Sequence, residues 1–475
     1  MSTFSGLNTA YTGLVAARQG LTVVGQNITN ATTTGYTRQR VTTSAIGALP
    51  QVGRLSGGIP QVGQGVAVSG VARLGDIYLD AQVRNSAATS GNLAVTANAL
   101  TAVETSLQEP GTNGLSAQLT GFWADWQGMA NNAGEPAQAG VLIADATALT
   151  SHIASGYRAV DSQWSQVRGQ LDGMASELND AGAQVADLNG RIRSTLATGG
   201  SVNELLDQRS TLTTTIAALT GATVRILPDG TADVLIGGNA LVSGDTFQPV
   251  AVTGSSIMAG AAATPVVLTW ANRPGVPVGA ESGEMAGAVA ILTAANATGT
   301  GGALAEAAAS YNSFATYLAT TVNAVHSAGV TSTGATGLDF FAIAPTGPAA
   351  LGLSVLATSV ADIATASAGS GALDGSNGDA IAALGTAPAS PDSVWSKFVT
   401  TIGVSTKSAV QQATLAETAA TSASSAQLAN GSVDMDEENV NMLTFQKAYQ
   451  GAARVMTAVD EMLDTLINHT GIVGR

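Results

Sequence analysis

Residues 432–468 read SVDMDEENVNMLTFQKAYQGAARVMTAVDEMLDTLIN. Within them Met442, Phe445, Tyr449, Ala452, Met456, Val459, Leu463 and Leu466 follow strict steps of three and four, the seam of a helix that packs along another helix. Asp434, with Glu437 three residues on, predicts a capping box at the start. Asp436 and Glu438 add negative charge where the helix dipole favours it. A seam of this length needs a partner, and the opposite end of the chain offers one. Phe4, Leu7, Tyr11, Leu14, Arg18, Leu21, Gly25 and Ile28 repeat the same steps, with Arg18 and Gly25 as weak members and Ala17 and Val24 widening the stripe. The N- and C-terminal helices are therefore expected to pair as a coiled coil and return the chain to its starting point. An ordinary coiled coil within one protein would show the same spacing.

Working inward, the first helix stops at Asn27-Ile-Thr-Asn30, Gly35 punctuates a turn, and Tyr36 to Val41 alternates like a strand. Residues 45–75, glycine-rich and interrupted by Pro50 and Pro60, read as loops and short strands such as 65–68. From Asp76 to about Thr220 the pattern is helical. Pro110-Gly111 ends one helix, Pro136 opens a very long one that Gly199-Gly200 ends, and Ser201 is a candidate cap for the next. The texture changes at Gly221. Val224 to Ile226, a Pro228-Asp-Gly230 turn and Ala232 to Ile236 predict a hairpin, and Gly237-Gly-Asn239 a second turn. Helix returns from about Glu284 to Val325 and again from Ser393 to the end, while 330–394 is rich in Gly, Ser, Ala and Pro.

The fold class that follows is mainly α with a β-rich insertion, in an elongated multidomain chain. Residues 1–40 and 432–475 form a terminal coiled-coil domain. Residues 41–221, 281–330 and 394–431 form a helical core, residues 222–280 a β-rich outer domain, and residues 331–393 a small outer insertion.

Composition narrows the function. The chain has 475 residues, too many for one core. Its apolar fraction of 45% is ample for packed cores, yet aromatics are only 4%, which favours long thin helices over a large globular centre. The net charge is −15, and Lys397, Lys407 and Lys447 are the only lysines. No basic surface for a phosphate backbone can be assembled, so nucleic acid is a poor partner, and an anionic membrane surface is disfavoured on the same ground. No run of apolar residues is long enough to insert in a membrane, and no cleavable signal peptide opens the chain. Without cysteine, disulfides and thiolate metal sites are out of reach.

Nothing in the pattern predicts an enzyme or a cofactor. His152, His326 and His469 lie far apart, and neither a nucleophile elbow nor a phosphate-binding loop occurs. Asp374-Gly-Ser-Asn-Gly-Asp379 faintly resembles a calcium loop, but Gly378 and Gly385 stand where ligands are needed, so a surface turn is expected. Phe122, Trp123 and Trp126 are expected to pack between helices rather than form a ligand platform. Tyr36, Arg38 and Arg40 could make a binding surface, but the residues by themselves favour a solvated strand face.

GQNITNATTTGYTRQRV, residues 25–41, resembles the N-terminal signature of flagellar rod, hook and hook-associated proteins. Its defining positions here are Asn27, Asn30, Gly35, Tyr36, Arg38 and Gln39; Thr29 and Thr34 stand where that family usually has alanine and proline. Residues 432–468, with Ala448-Tyr-Gln450 and Ala453-Arg454, are similar to the matching C-terminal signature. VADLNGRI (185–192), NELLDQRS (203–210), residues 61–84 and residues 311–341 resemble the hook–filament junction type. The resemblance implies a structural subunit of the extracellular flagellum that self-assembles into a helical tube through its terminal helices. The assembly positions would be Leu7, Tyr11, Leu14, Leu21, Ile28, Met442, Phe445, Tyr449, Met456, Val459, Leu463 and Leu466. It implies as partners further copies of the chain, the hook protein, a second junction protein, and an export chaperone at the C-terminal region. A secreted Ala/Thr-rich adhesin or surface-layer protein would share the composition, but has no reason to carry both terminal signatures.

Overall fold

Alanine-rich sequence with few β-branched residues favours uninterrupted helix, and the longest element follows from it. The structure is a computed structural model that describes residues 3–47, 63–298 and 300–469. Pro50 and Pro60 lie outside those residues, as does the side chain of Phe4. Helix α4, Pro136–Ala197, runs 62 residues, about 90 Å at the usual rise per residue. Proline at its first turn sits where no amide partner is lost.

Along α4 lie α3 (Leu115–Asn131), α5 (Asn203–Thr220), α6 (Gly283–Leu292) and α7 (Ala303–His326). A second long pair is made by α2, Ile77–Leu107, and α10, Pro391–Gly431. It runs antiparallel: Thr406 donates to the Leu100 carbonyl at 3.3 Å, Ser90 to Glu417 at 2.8 Å and Gln427 to Asp80 at 2.6 Å. Asp76 caps α2 through the amides of Tyr78 and Leu79. Ser201 does not cap α5, whose preceding residue is Val202 and whose first amides take no side-chain acceptor.

Phe122, Trp123 and Trp126 are buried against Phe340, Phe341 and His326, a cluster of edge and tilted ring contacts that joins α3 and α7 to the insertion beyond α7. A second cluster, Tyr311, Phe314, Trp395 and Phe398, joins α7 to α10. These aromatics are packing residues. Asp374 likewise closes a turn, accepting from the Ser367 amide at 2.9 Å and from the Ser376 hydroxyl.

The insertion after α5 is a four-stranded antiparallel sheet in sequential order, β3 (Thr223–Ile226), β4 (Ala232–Ile236), β5 (Asn239–Ser243) and β6 (Thr246–Phe247). The hairpin β7 (Val250–Thr253) with β8 (Val267–Trp270) follows. The sheet rests on α4. Asn189 donates to the Ala232 and Gly244 carbonyls at 2.8 and 2.6 Å and accepts from the Ala232 amide at 3.0 Å. Asn179 brackets Val250 in the same way. Buried Arg209 of α5 completes the joint, donating to Asn189 at 2.9 Å and to the Gly230 carbonyl at 2.7 Å.

Other short elements are β9 (Phe341–Ile343) paired with β10 (Leu353–Val355), α8 (Ala349–Gly352) and α9 (Ser376–Ala382). The terminal helices are α1, Thr3–Thr29, and α11, Met435–Asp464, and they pack along each other. At their base stands the hairpin of β1 (Gln39–Ala45) and β2 (Val66–Arg73), so the extended signature starts its strand at Gln39 rather than Tyr36.

Candidate functional site

Glycine lacks a Cβ and lets a neighbouring helix approach closely. On α1 the side facing α11 carries Gly6, Gly13 and Gly20, which meet Val459, Ala452 and Phe445 in turn. Each step is seven residues along both helices in opposite directions, the signature of an antiparallel heptad register. A Cβ on Gly20 would collide with the Phe445 ring. Ala10, Ala17 and Val24 fill the intervening positions and are buried.

The seam of α1 is therefore Gly6, Ala10, Gly13, Ala17, Gly20, Val24 and Asn27, one residue away from the expected stripe. Leu7, Leu14, Leu21 and Ile28 are half-buried flanks, Arg18 is exposed, and Tyr11 is 56% exposed. The expectation followed large apolar residues; the structure uses small ones, because two backbones come together there. On α11 the expected register holds through most of its length. Val459 is buried, and Met442, Phe445, Ala452, Met456 and Leu463 are half-buried. Tyr449 sits at the margin with 37% exposure, and Leu466 lies in the π-turn Thr465–His469, 55% exposed. Val440, Leu443, Val455 and Met462 of α11 are also apolar and exposed to solvent.

The register ends in a polar lock. Asn27, buried one heptad beyond Gly20, donates to Glu438 at 3.1 Å and to the Gln39 carbonyl at 2.9 Å. Its amide oxygen accepts from the Tyr36 hydroxyl at 2.8 Å and from the Gln39 amide at 3.0 Å. Arg38 donates from Nε to buried Glu438 at 2.7 Å and grips Glu437 at 2.8 Å. The Arg38 pairing holds the Glu437 carboxyl below its ordinary range. Asp434 does cap α11, through the amides of Asp436 and Glu437, but the reciprocal half of the expected box is missing because Glu437 is turned to Arg38.

The same strand is tied to the core. The Thr37 amide donates to Asp207 of α5 at 3.0 Å, and Arg73 donates to the other oxygen of Asp207 at 2.6 Å. Gln39 donates to Glu204 at 3.1 Å and accepts from Asn203 at 3.0 Å. Burial, helped by Glu204, Asp207 and Glu438, pushes the Tyr36 hydroxyl up to about 12. Asn30 closes the end of α1 by donating to the Gln26 carbonyl at 3.0 Å, and Gly35 turns the chain with φ of 81°. Of the three residues read as a surface, Tyr36 and Arg38 thus face inward, and only Arg40 is solvated. Sequence reasoning missed Glu438, Asp207 and Asn203 as members of this lock. NELLDQRS contains two of them, but nothing in its spacing says that they reach a segment 164 and 170 residues earlier.

Among the described residues no group of side chains could hold a metal ion, and no helix is long and apolar enough to cross a membrane. Paired terminal helices, locked to a long helical strut that carries a small sheet, define an elongated, mainly helical axial protein. Comparison with known proteins makes this specific. The family model of the flagellar hook-associated protein FlgK helical domain matches residues 100–341, and that of the flagellar basal body rod FlgEFG protein C-terminal region matches residues 430–469. The chain belongs to the flagellar hook-associated protein FlgK family. It is 28% identical to flagellar hook-associated protein 1 of Bacillus subtilis over 506 aligned residues, covering 100% of both chains. It is 31% identical to the Salmonella typhimurium protein of that name over 243 residues, 50% of this chain and 43% of that one. The solved flagellar hook junction protein FlgK from Burkholderia pseudomallei shares the fold with a TM-score of 0.63 at 16% identity, over 73% of this chain and 99% of that chain. Each of these relatives is a flagellar protein, and the adhesin reading is not favoured.

Proposed function

We propose that this chain joins the flagellar hook to the filament as a structural subunit, and that it assembles into a helical tube through α1 and α11. The observation that carries this reading is the outer face of the terminal pair. Leu443, Val455 and Met462 of α11 are each about half exposed, at 55%, 49% and 52%, and on α1 Tyr11 is exposed while Leu7, Leu14, Leu21 and Ile28 are half-buried. Such exposed apolar surface is costly to leave in water, and covering the exposed half of a large side chain gains roughly half of the 1.5–3 kcal/mol of full burial. Repetition along a tube is a contact between unlike faces of successive copies, which covers both.

On this reading the polar lock sets the angle at which the pair leaves the helical core, and the sheet on α4 lies on the outside. Neighbours along the axis are the hook protein on one side and a second junction protein on the other. A chain with no cysteine suits passage through the flagellar type III exporter unfolded, with a chaperone holding the C-terminal region. Deleting the chain from its bacterium is the test. Electron microscopy should show hooks without filaments, and flagellin should accumulate in the medium. Filaments of normal number and length would overturn the reading.

A further inference from the structure

On the terminal pair, Arg18 of α1 and Asp436, Lys447, Arg454, Asp460 and Glu461 of α11 are exposed charges with no ion-pair partner among the described residues. Arg18 is the sole ionic side chain of α1. With Gly20 on Phe445 and Gly13 on Ala452, the register sets Arg18 level with Lys447. Like charges thus share one level of the rod and form a basic girdle with Arg454. Asp460 and Glu461 form an acidic girdle 13 to 14 residues further along α11, about 20 Å away at the helical rise. At the other end Asp436 stays exposed, and the remaining acids are engaged. Arg38 holds Glu437 and Glu438, and Asp434 caps α11.

Copies placed side by side without offset would set basic girdle against basic girdle and acidic against acidic. Sliding one copy by two heptads removes both repulsions. We propose that parallel copies of this chain pack with an axial offset of about 20 Å, the Asp460–Glu461 end of one against Arg18 and Lys447 of the next. This rests on the assembly reading above and gives it a register. Exposed charge pairs contribute little each and choose register more than strength.

The absence of native cysteine allows a direct test. In flagella isolated from cells carrying the full chain with Arg18→Cys and Glu461→Cys, mild oxidation should give a ladder of disulfide-linked multimers. The two positions of a single chain are too far apart to join, since bridged residues need Cα atoms within about 7 Å. Unoffset neighbours would instead link the pair Arg18→Cys with Lys447→Cys. A ladder from that second pair alone, or none from either in chains that have been incorporated, overturns the offset and leaves assembly standing. Wild-type chain absent from the flagella would sink the assembly reading itself. Charge exchange gives an independent measurement should the cysteine variants fail to incorporate. Arg18→Glu should reduce incorporation several-fold, and adding Glu461→Arg should restore most of it; no restoration overturns the proposal.

Discussion

Asn27 uses both donors and its acceptor oxygen on three different pieces of chain: α11, β1 and the turn between α1 and β1. Its neighbour in the lock, Arg38, neutralises Glu438, whose side chain is 1% exposed. Removing one partner of such a pair leaves a buried charge unmatched and costs about 3–5 kcal/mol. Arg38→Ala should therefore loosen the terminal helices from the hairpin while the helical core stays intact. Hydrogen exchange would show faster exchange in residues 435–464 and unchanged protection in α4; uniform protection would show that the lock is not needed.

His326 is the second informative residue. Its Nδ1 donates to the Leu338 carbonyl at 2.7 Å, and its Nε2 accepts from the Ala364 amide at 3.0 Å, so the ring is held neutral and joins α7 to the insertion. Burial holds its pKa below the ordinary value. A base whose folded pKa is depressed contributes stability that is present above its unfolded pKa, about 6.5, and is lost as pH falls through the folded one. Melting temperature should drop below that pH more steeply in the wild type than in His326→Gln. Equal slopes would contradict the assignment.

At the scale of elements, the terminal helices illustrate what a sequence period reveals and what it hides. Spacing alone placed both helices and most of the α11 seam. It put the α1 seam on Leu7, Tyr11, Leu14, Leu21 and Ile28, because apolar size marks burial in most helices. Here Gly6, Gly13 and Gly20 permit close approach, and glycine carries no hydropathy signal by which to choose the stripe. Gly20→Val should cost about 1–3 kcal/mol by overpacking and split the pair, whereas Gly25→Ala, on the exposed side where a Cβ meets nothing, should be neutral or mildly stabilising. Circular dichroism melts would separate the two; equal effects would refute the register.

The sheet carries the converse lesson. Turn residues announced β3 to β5 in the sequence, but not that the sheet needs α4 and α5 to satisfy Ala232, Gly230 and Val250. Residues 222–280 expressed alone should consequently fail to show a cooperative melt, while the same segment within the full chain melts with α4. A cooperative β-type melt of the isolated segment would show that it stands by itself.

For the whole molecule, sequence patterns made the mainly helical class and the paired ends legible, because caps, prolines and heptads are local. The polar lock was not legible. Its members, Asn27 and Arg38, Asp207, and Glu438, come from three separate parts of the chain, and only folding brings them together. The outer face of the terminal pair, and not the core, makes the assembly proposed above. The most direct measurement is incorporation into flagella of the chain with Leu443→Ser, Val455→Ser and Met462→Ser. These side chains are about half exposed, at 49–55%, so the monomer should melt as the wild type does. Incorporation should be lost and hooks should remain bare. A folded triple variant that enters the flagellum and supports normal filaments would contradict the account.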